Sequence, residues 1–469
     1  MVYSRMNNIM KPPIYYPIAI RLAMPIYRQM VKKKSRHLPT LDRELNERFG
    51  EHYQPVPNSS SQIIVDKAVD KSVSDAINQD LSRGVIWCHA VSLGELNTAY
   101  PLLKKLINQG FKLWITSTTQ TGFNRVSQLF ADKLGVVVNH SFVPVDNLAV
   151  VQRFINHVRP VMAIFIETEL WATMLHELSQ QGIPSVMVNA RLTQKSYEGY
   201  VRFGKLSRSM MANLSAIIAQ DEESAKRFRQ LGASDDKVVV IDSLKWSSFG
   251  QLDDKHDELA AEANTWQLID HKDGRRPIWI AASTHEGEER LVLQVYQKLM
   301  AMNASVLLIL VPRHPERFDE VARLCDEMGF NTKRRSKNDT IHYDTQVYLA
   351  DSMGELLGWY QVADVALVAG SLVDKGGHNP IEPASLGRPV VMGRFTKNCE
   401  ILVQELSGVG ALVQTDDSVD DIAKALSKWL FDKDLAAKAG QAGRDLVMDK
   451  QHAADKQTQV LLDILAGVR

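Results

Sequence analysis

Acidic side chains follow two apolar runs in the first half of the chain, at the points where strands of a parallel sheet would end. Glu95 comes after the run VIWCHAV, and Glu167 ends the run MAIFIE and precedes Thr168 and Glu169. The Glu95 carboxylate could accept a proton from an attacking hydroxyl, and the Glu167 carboxylate could orient the acceptor or hold a neighbouring cation. The same residues would also suit a helix N-terminus, Glu95 by its charge and Thr168 by capping. The local sequence leaves both interpretations open.

Basic side chains follow two further apolar runs in this half. Arg191 lies in NARL and Lys245 lies in DSLK. A single Lys or Arg is usually a solvated surface residue, but cations at successive strand ends are harder to attribute to chance. They would meet the anionic groups of a substrate.

In the second half, the run LLILVP leads into Arg313 and His314, with a proline on each side of the pair. The planar guanidinium of arginine suits a phosphate or a carboxylate. Further on, DSMGEL opens a predicted helix whose N–H groups and dipole would attract a phosphate. The same residues are also compatible with a capping box formed by Ser352 and Glu355, which would not exclude a bound phosphate.

A glycine-rich segment, GSLVDKGGHNPIEPA, covers residues 370–384. Glycines let the main chain approach a ligand closely, and Glu382 in the first turn of the next helix could accept hydrogen bonds from ribose hydroxyls. A Gly-Gly pair alone is a weak signal.

Two series of short apolar runs that alternate with helical stretches must position these residues. The first series predicts strands at VIWCHAV, KLWITST, GVVVNHSFV, MAIFIE, IPSVMVNA, AIIAQ and KVVVID, and the second at IWIAAS, SVLLILVP, VYLAD, VALVAG, RPVVMG and ALVQT. This rhythm is typical of βαβ units, in which ligands bind at the carboxyl ends of the strands. We predict an α/β protein of two doubly wound, Rossmann-like domains that face each other across a cleft. The predicted boundaries are an N-terminal segment at 1–50, an insertion or linker at 51–84, a first domain at 85–246, a connection at 247–276 and a second domain with C-terminal helices at 277–469.

The N-terminal segment contains an apolar and aromatic run at residues 14–31, interrupted by prolines and arginines and followed by Lys32, Lys33, Lys34 and Arg36. It is too short and too charged to span a bilayer, which needs roughly 20 apolar residues. We predict an amphipathic helix that lies on a membrane surface, with a helix docked on the protein's own core as the alternative. The segment lacks the pattern of a cleaved leader peptide, which is a charged and then apolar stretch that ends in a small-residue cleavage site.

Composition excludes several classes of function. The 469 residues carry 55 basic and 55 acidic side chains, so no overall charge attracts nucleic acid. Three scattered cysteines indicate neither a disulfide framework nor a zinc site. The histidines have no metal-binding spacing, and no Walker or dinucleotide glycine motif is present. We therefore predict no metal and no cofactor.

Nine motifs, taken in order, resemble the bacterial transferases of 3-deoxy-D-manno-octulosonic acid (Kdo). They are HAVSLGE, TSTTQTG, ETELW, NARL, SLK, ASTHEGEE, PRHPERF, SMGEL and GGHNPIEPASLG, which together cover roughly residues 85–400. The resemblance implies a metal-independent GT-B glycosyltransferase at the cytoplasmic face of the bacterial inner membrane. Its donor would be CMP-Kdo and its acceptor a tetra-acylated lipid A precursor.

The resemblance also assigns roles residue by residue. Glu95 matches the proton acceptor of the family, and Glu167 and Lys245 match residues that support the transition state. The positions that match the family's CMP-binding residues are Pro312, Arg313, Met353, Gly354, Glu355, Asn379, Pro380, Ile381 and Glu382.

This chain departs from the family pattern in its N-terminal segment, in the long stretch at 51–80, and at Asp242, where glycine is common. Two other functions remain as alternatives. One is a nucleotide-sugar 2-epimerase of the same two-domain fold, and the other is a non-catalytic protein that binds nucleotide sugars or lipids.

Overall fold

A computed structural model describes residues 9–57, 83–249, 276–303 and 305–468. The chain divides into two compact units, of which the first comprises Met1–Ser248 with His452–Arg469 and the second comprises Phe249–Gln451. Most of the predicted insertion at 51–84 and of the predicted connection at 247–276 lies outside the described residues. Residues 54–57, however, are tied to the first unit, because the side chains of Lys112, Asn139 and His157 bind the main-chain carbonyls of Pro57, Pro55 and Gln54.

The first unit contains a parallel sheet of seven strands. They are β1 (Val85–His89), β2 (Lys112–Ser117), β3 (Val138–Phe142), β4 (Met162–Ile166), β5 (Ser185–Ala190), β6 (Ala216–Ala219) and β7 (Val238–Val240). Their order across the sheet is β3-β2-β1-β4-β5-β6-β7. The chain reverses its direction of winding between β1 and β4, so a topological switch point lies at their carboxyl ends.

Helices cover both faces of this sheet and bury its apolar side chains in two clusters, one on each face. Those between the strands are α3 (Leu93–Asn108), α4 (Gln120–Leu129), α5 (Leu148–Val158), α6 (Ala172–Gln180), α7 (Gln194–Arg202), α8 (Gly204–Asn213) and α9 (Glu222–Gln230). Because most strands are buried along their whole length, their sequences are continuous apolar runs rather than alternating patterns.

The N-terminal segment, predicted as separate, is part of the first unit. It forms α1 (Tyr15–Ser35), which continues through Pro25, and α2 (Leu41–Arg48). On the inner side of α1, Val31 forms an apolar cluster with Leu45 and Phe49, and the Tyr16 hydroxyl donates a 2.7 Å hydrogen bond to buried Asp146. Both helices are therefore anchored on the domain core, as the alternative interpretation of the sequence expected.

The outer side of α1 remains exposed. Side chains spaced four residues apart lie on one face of a helix, and here they form an apolar stripe of Ile14, Ile18, Leu22, Ile26 and Met30, each between 53% and 81% exposed. The last turn carries Lys32, Lys33 and Lys34. Within the described ranges, we find no helix with the length and apolar character to cross a membrane.

The second unit contains another parallel sheet of seven strands. They are β8 (Ile278–Thr284), β9 (Leu307–Pro312), β10 (Thr332–Arg334), β11 (Val347–Leu349), β12 (Val365–Val368), β13 (Val390–Met392) and β14 (Leu412–Gln414). Their order is β10-β11-β9-β8-β12-β13-β14, with the switch point between β8 and β12. All thirteen apolar runs in the sequence form strands. The sequence missed β10, an edge strand of polar residues that are only half-buried.

The helices of the second unit flank its sheet in the same way. They are α10 (Glu288–Met302), α11 (Phe318–Glu327), α12 (Leu356–Val362), α13 (Ile381–Ser385), α14 (Glu400–Gly408), α15 (Val419–Leu430) and α16 (Lys433–Lys450). The last helix, α17 (Ala453–Leu465), packs instead against α3 of the first unit. This corrects the predicted second domain at 277–469, because α17 buries Ala454, Gln457 and Leu461 against the first sheet's core rather than the second's.

Candidate functional site

Glu95 and Glu167 lie at the carboxyl ends of neighbouring strands. Glu95 is in the first turn of α3, directly after β1, and Glu167 follows β4, which pairs with β1. The βαβ pattern thus delivers both carboxylates to the switch point of the first sheet, where such folds bind ligands.

The Glu95 carboxylate is held in place by its own loop. One oxygen accepts a 2.8 Å hydrogen bond from the Val91 N–H, and the other accepts the Ser92 hydroxyl at 3.2 Å. Ser92 in turn caps α3 by accepting the Glu95 N–H. The capping and the functional interpretations of the sequence therefore describe one arrangement.

Burial raises the pKa of Glu95 to about 7, and the nearby charges of Glu167 and Glu169 raise it too, against the lowering effect of the bonds from Val91 and Ser92. A carboxyl group with this pKa exchanges its proton near neutral pH. That is the property a general base needs.

The segment after β4 is shaped by an unusual main-chain conformation. Glu167 has a φ of 60°, in the left-handed region that non-glycine residues rarely adopt. The next residue, Thr168, donates its hydroxyl to the main-chain carbonyl of Arg191 after β5. Burial raises the pKa of Glu169 as well. Backbone strain of this kind is concentrated at functional sites.

Lys245 lies in a short 3-10 helix, Leu244–Phe249, at the same edge of the sheet. The Leu244 N–H donates to the side-chain oxygen of Asn189 at the end of β5, at 2.9 Å. Buried Gln457 on α17 binds the Asn189 N–H and the carbonyl of Asp242. Since φ at Asp242 is not positive, this position does not require glycine, and the loop that carries Lys245 is tied to both β5 and α17.

In the second unit, Arg313 follows β9 next to a group of three histidines. The Nε2 atoms of His285 and His378 lie 2.8 Å apart, and the His285 and His314 rings are 5.1 Å apart between centroids. Burial, together with the charges of the neighbouring histidines and of Arg313, lowers the pKa of His378 to about 4. Arg313 also acts on His285 and Glu382, so these side chains form one cluster.

Glu288 in the first turn of α10 holds the loops of this cluster together. Its side chain is fully buried and accepts three main-chain N–H groups, from His285, Gly370 and Leu372, at 2.9, 2.9 and 3.0 Å. One carboxylate thus joins the segment after β8 to the glycine-rich loop after β12. His285 and Glu288 were not predicted as site residues from the sequence, although both lie in the motif ASTHEGEE. Glu288 could have been identified from its position, because it is an acidic residue at a helix start directly after a strand, as Glu95 is.

The glycine-rich loop leads into α13. Asn379 accepts the Ile381 N–H through its side-chain oxygen at 3.1 Å, which starts the helix. Burial raises the pKa of Glu382 to about 7, although the hydrogen bond from Asn379 and the charge of Arg313 lower it. At Gly377, where φ is 76°, an added Cβ would meet Cys399 Sγ at 3.0 Å, so this position requires glycine.

Glu355 belongs to another part of the same unit. Its carboxylate forms an ion pair with Arg335, with contacts of 2.6 and 3.1 Å, and accepts the Ser352 hydroxyl. These bonds bring its pKa below the usual range despite the opposing effect of burial. The capping box considered from the sequence does not form, because Glu355 itself precedes α12 and no side chain caps that helix.

The structure therefore brings Glu95, Glu167 and Glu169 together in the first unit, and Arg313, His314 and Glu382 in the second. Pro312 ends β9, while Met353 and Gly354 lie in the loop before α12. Among the residues that the structure describes, no cluster of three or more His, Cys, Asp or Glu side chains is placed to hold a metal ion.

Comparisons with known proteins cover both units. A family model described as 3-deoxy-D-manno-octulosonic-acid transferase (kdotransferase) matches residues 43–248, and one described as glycosyl transferases group 1 matches residues 276–446. The chain is 38% identical over 382 residues to a 3-deoxy-D-manno-octulosonic acid transferase of Haemophilus influenzae. The aligned region covers 81% of this chain and 86% of that protein.

Two solved structures are also similar. The C-terminal CMP-Kdo binding domain of WaaA from Acinetobacter baumannii is 35% identical and covers 43% of this chain and 97% of that domain, with a TM-score of 0.33. UDP-GlcNAc 2-epimerase from Neisseria meningitidis is 14% identical and covers 81% of this chain and 100% of that chain, with a TM-score of 0.53. At such an identity, the likeness to the epimerase concerns the fold alone.

Proposed function

Because this chain belongs to the Kdo transferase family, we propose that it transfers Kdo from CMP-Kdo to a tetra-acylated lipid A precursor, with Glu95 as the general base. The chain is a glycosyltransferase with the two Rossmann-like, parallel-sheet units of the GT-B fold. The acceptor, the base and the roles of the other residues are the parts that we propose.

The main observation behind the proposal is the position, orientation and raised pKa of the Glu95 carboxylate. Its carboxylate lies at a switch point, is oriented by the Val91 N–H and has a pKa of about 7. A hydroxyl of the acceptor sugar would give its proton to this carboxylate as its oxygen attacks the anomeric carbon of Kdo. General bases of this kind contribute about 10²–10⁴-fold to a rate.

As the new bond forms, the bond between the anomeric carbon and the CMP phosphate breaks, and CMP leaves with the electron pair. The sugar becomes cation-like in this transition state, and negative charge develops on the leaving phosphate. We propose that Glu167 stabilises the cation-like sugar and that Lys245 stabilises the charge that develops in the transition state. Arg313, beside His285 and His378, suits the leaving phosphate.

The remaining CMP contacts follow from the family resemblance and from their place in the second unit. We assign them to Pro312, Met353, Gly354, Glu355, Asn379, Pro380, Ile381 and Glu382. The ion pair with Arg335 occupies much of the Glu355 carboxylate, so we expect the loop's main chain to bind the nucleotide at this point.

The test is transfer from CMP-Kdo, regenerated during the assay, to the tetra-acylated precursor, with products resolved by mass. We expect a mass increase of one or more Kdo units. If CMP raises the melting temperature without any product, the acceptor is a different one. If UDP-sugars stabilise the protein and CMP does not, the 2-epimerase is the better assignment.

We also propose that the chain works at the cytoplasmic face of the bacterial inner membrane, where α1 contacts the lipid. The apolar stripe on α1 and the three lysines in its last turn support this proposal. Apolar side chains enter the interface, and lysines attract anionic headgroups.

The vesicle test uses substitutions rather than truncation, because removal of α1 would also remove its contacts with the core. Leu22→Asn together with Ile26→Asn should reduce flotation with anionic vesicles at least tenfold. Gln29→Asn, also exposed on α1, is the control and should bind like the original chain. Equal flotation of all three proteins would exclude α1 as the contact.

A further inference from the structure

An open cavity of about 340 Å³ lies in the first unit between α1, α7 and α8. Its apolar lining comes from Tyr16, Leu170, Tyr200, Phe203, Leu206 and Met210. Phe203 is 58% exposed at its rim. This volume is at the lower end for ligand sites, and the apolar lining suits a hydrocarbon chain better than a sugar with its many hydroxyls.

The polar groups that line the cavity already have protein partners. The hydroxyl of Tyr16 binds Asp146, that of Tyr200 binds the Thr168 carbonyl, and that of Ser207 binds the Tyr200 carbonyl. Ser196 accepts the Thr193 hydroxyl. A polar ligand would therefore find few unused partners here, whereas an apolar ligand would cost no hydrogen bonds.

The cavity borders the acidic residues of the candidate site. Leu170 directly follows Glu169, and the charge of Glu169 raises the pKa of Tyr200. Glu169 also acts on Glu95. The wall formed by Tyr16 belongs to α1, the helix with the exposed apolar stripe. An apolar pocket thus connects the residues around the proposed base to the helix that we place on the membrane.

We propose that this cavity binds an acyl chain of the lipid acceptor and so positions the acceptor sugar near Glu95. The proposal rests on the proposed function, in which the acceptor carries acyl chains. Each methylene that enters the cavity contributes about fourfold in affinity, so a few of them decide how well the acceptor is held.

Two glycines make a matched test. Gly199 lines the cavity and Gly204 does not, both are helical, and a Cβ added at either meets nothing within 4 Å. Gly199→Phe would place a ring in the cavity, while Gly204→Phe makes the same chemical change outside it.

The measurement compares transfer to the tetra-acylated acceptor with transfer to its fully deacylated form, in the same detergent. We expect Gly199→Phe to reduce kcat/KM at least tenfold on the acylated acceptor, mainly through KM, with no change on the deacylated form. Gly204→Phe should match the original chain on both. An unchanged melting-temperature shift with CMP would show that the second unit still folds and binds.

Three results would overturn the proposal. They are full activity of Gly199→Phe on the acylated acceptor, an equal loss on both acceptors, and a change in sedimentation that identifies a second copy of the chain as the occupant. Failure of the original chain with every acceptor would instead refute the proposed function, and the acyl site with it.

Discussion

At the scale of single residues, Glu95 and Glu288 occupy equivalent positions at the start of a helix but differ in burial and in the role that we propose for each. Each is an acidic residue in the first turn of a helix after the first strand of its sheet, and each accepts main-chain N–H groups from the preceding loop. Glu95 is half-buried and close to other carboxylates, which leaves its proton exchangeable. Glu288 is fully buried with three N–H partners, which suits it to hold loops in position.

Glu95→Gln should lower kcat by about 10²–10⁴-fold, because the amide cannot accept the proton. For the original chain we expect kcat/KM to rise with pH up to about 7 and then level off, since only the ionised carboxylate is a base. The raised pKa also means that Glu95 favours folding most below its unfolded pKa, an effect lost as pH rises through 7. The variant should therefore be at least as stable as the original chain at pH 8.

Thermal unfolding at pH 8 and transfer rates between pH 5.5 and 9 check both parts. A CMP-induced melting shift equal to that of the original chain is the control for donor binding. Residual transfer above a tenth of the original rate would remove Glu95 as the base.

Glu288→Gln should weaken CMP binding and lower stability by about 1–3 kcal/mol, because one of two acceptor oxygens becomes a donor facing main-chain N–H groups. Titration calorimetry with CMP and urea unfolding measure the two effects. Glu286→Gln makes the same charge change at an exposed position and should alter neither. If the two variants behave alike, Glu288 does not position the loops.

At the scale of elements, the role of α17 depends on which unit it packs against. It follows the second unit in sequence but packs on the first, and Gln457 reaches the Asn189 N–H and the Asp242 carbonyl at 3.2 and 2.9 Å. A C-terminal helix thereby supports the loop that carries Lys245.

Gln457→Leu keeps the approximate size of the side chain and removes both hydrogen bonds. The buried Asn189 N–H then lacks this partner, which should cost about 1–3 kcal/mol in urea unfolding. Transfer should also slow, because the Lys245 loop loses a contact. Gln459→Leu, at an exposed position on the same helix, is the control. Equal stability of the two variants would show that α17 does not brace this loop.

At the scale of the whole molecule, the residues proposed for the two substrates lie in different units. Those proposed for CMP belong to Phe249–Gln451, and Glu95, Glu167 and the cavity proposed for an acyl chain belong to the first unit. A ligand that binds the folded state slows the local opening of the structure that holds it.

Addition of CMP alone should therefore slow amide hydrogen exchange at residues 313–317, 353–355 and 376–382, and leave residues 92–97 and 166–171 unchanged. Mass spectrometry of peptides from the full chain measures both sets. The effect should disappear in Arg313→Ala. Protection confined to the first set of loops supports the assignment, and protection confined to residues 92–97 and 166–171 would reverse it.

Much of the fold and part of the site were accessible from the sequence. The apolar runs and their helical spacers predicted two parallel sheets, and therefore placed Glu95, Glu167 and Arg313 at strand ends. These inferences hold because periodicity and chain order are local properties. The ordered motifs identified the family, which the comparisons confirm.

Only the tertiary structure decided what lies beside those residues. The pairing of His285 with His378 joins positions 93 apart, and the bond from Asn189 to Gln457 joins positions 268 apart. The apolar cavity likewise forms only where Tyr16 meets the helices near residue 200. Contacts of this kind, and the pKa of a carboxylate among them, depend on packing between distant segments, for which a single sequence carries no periodic signal.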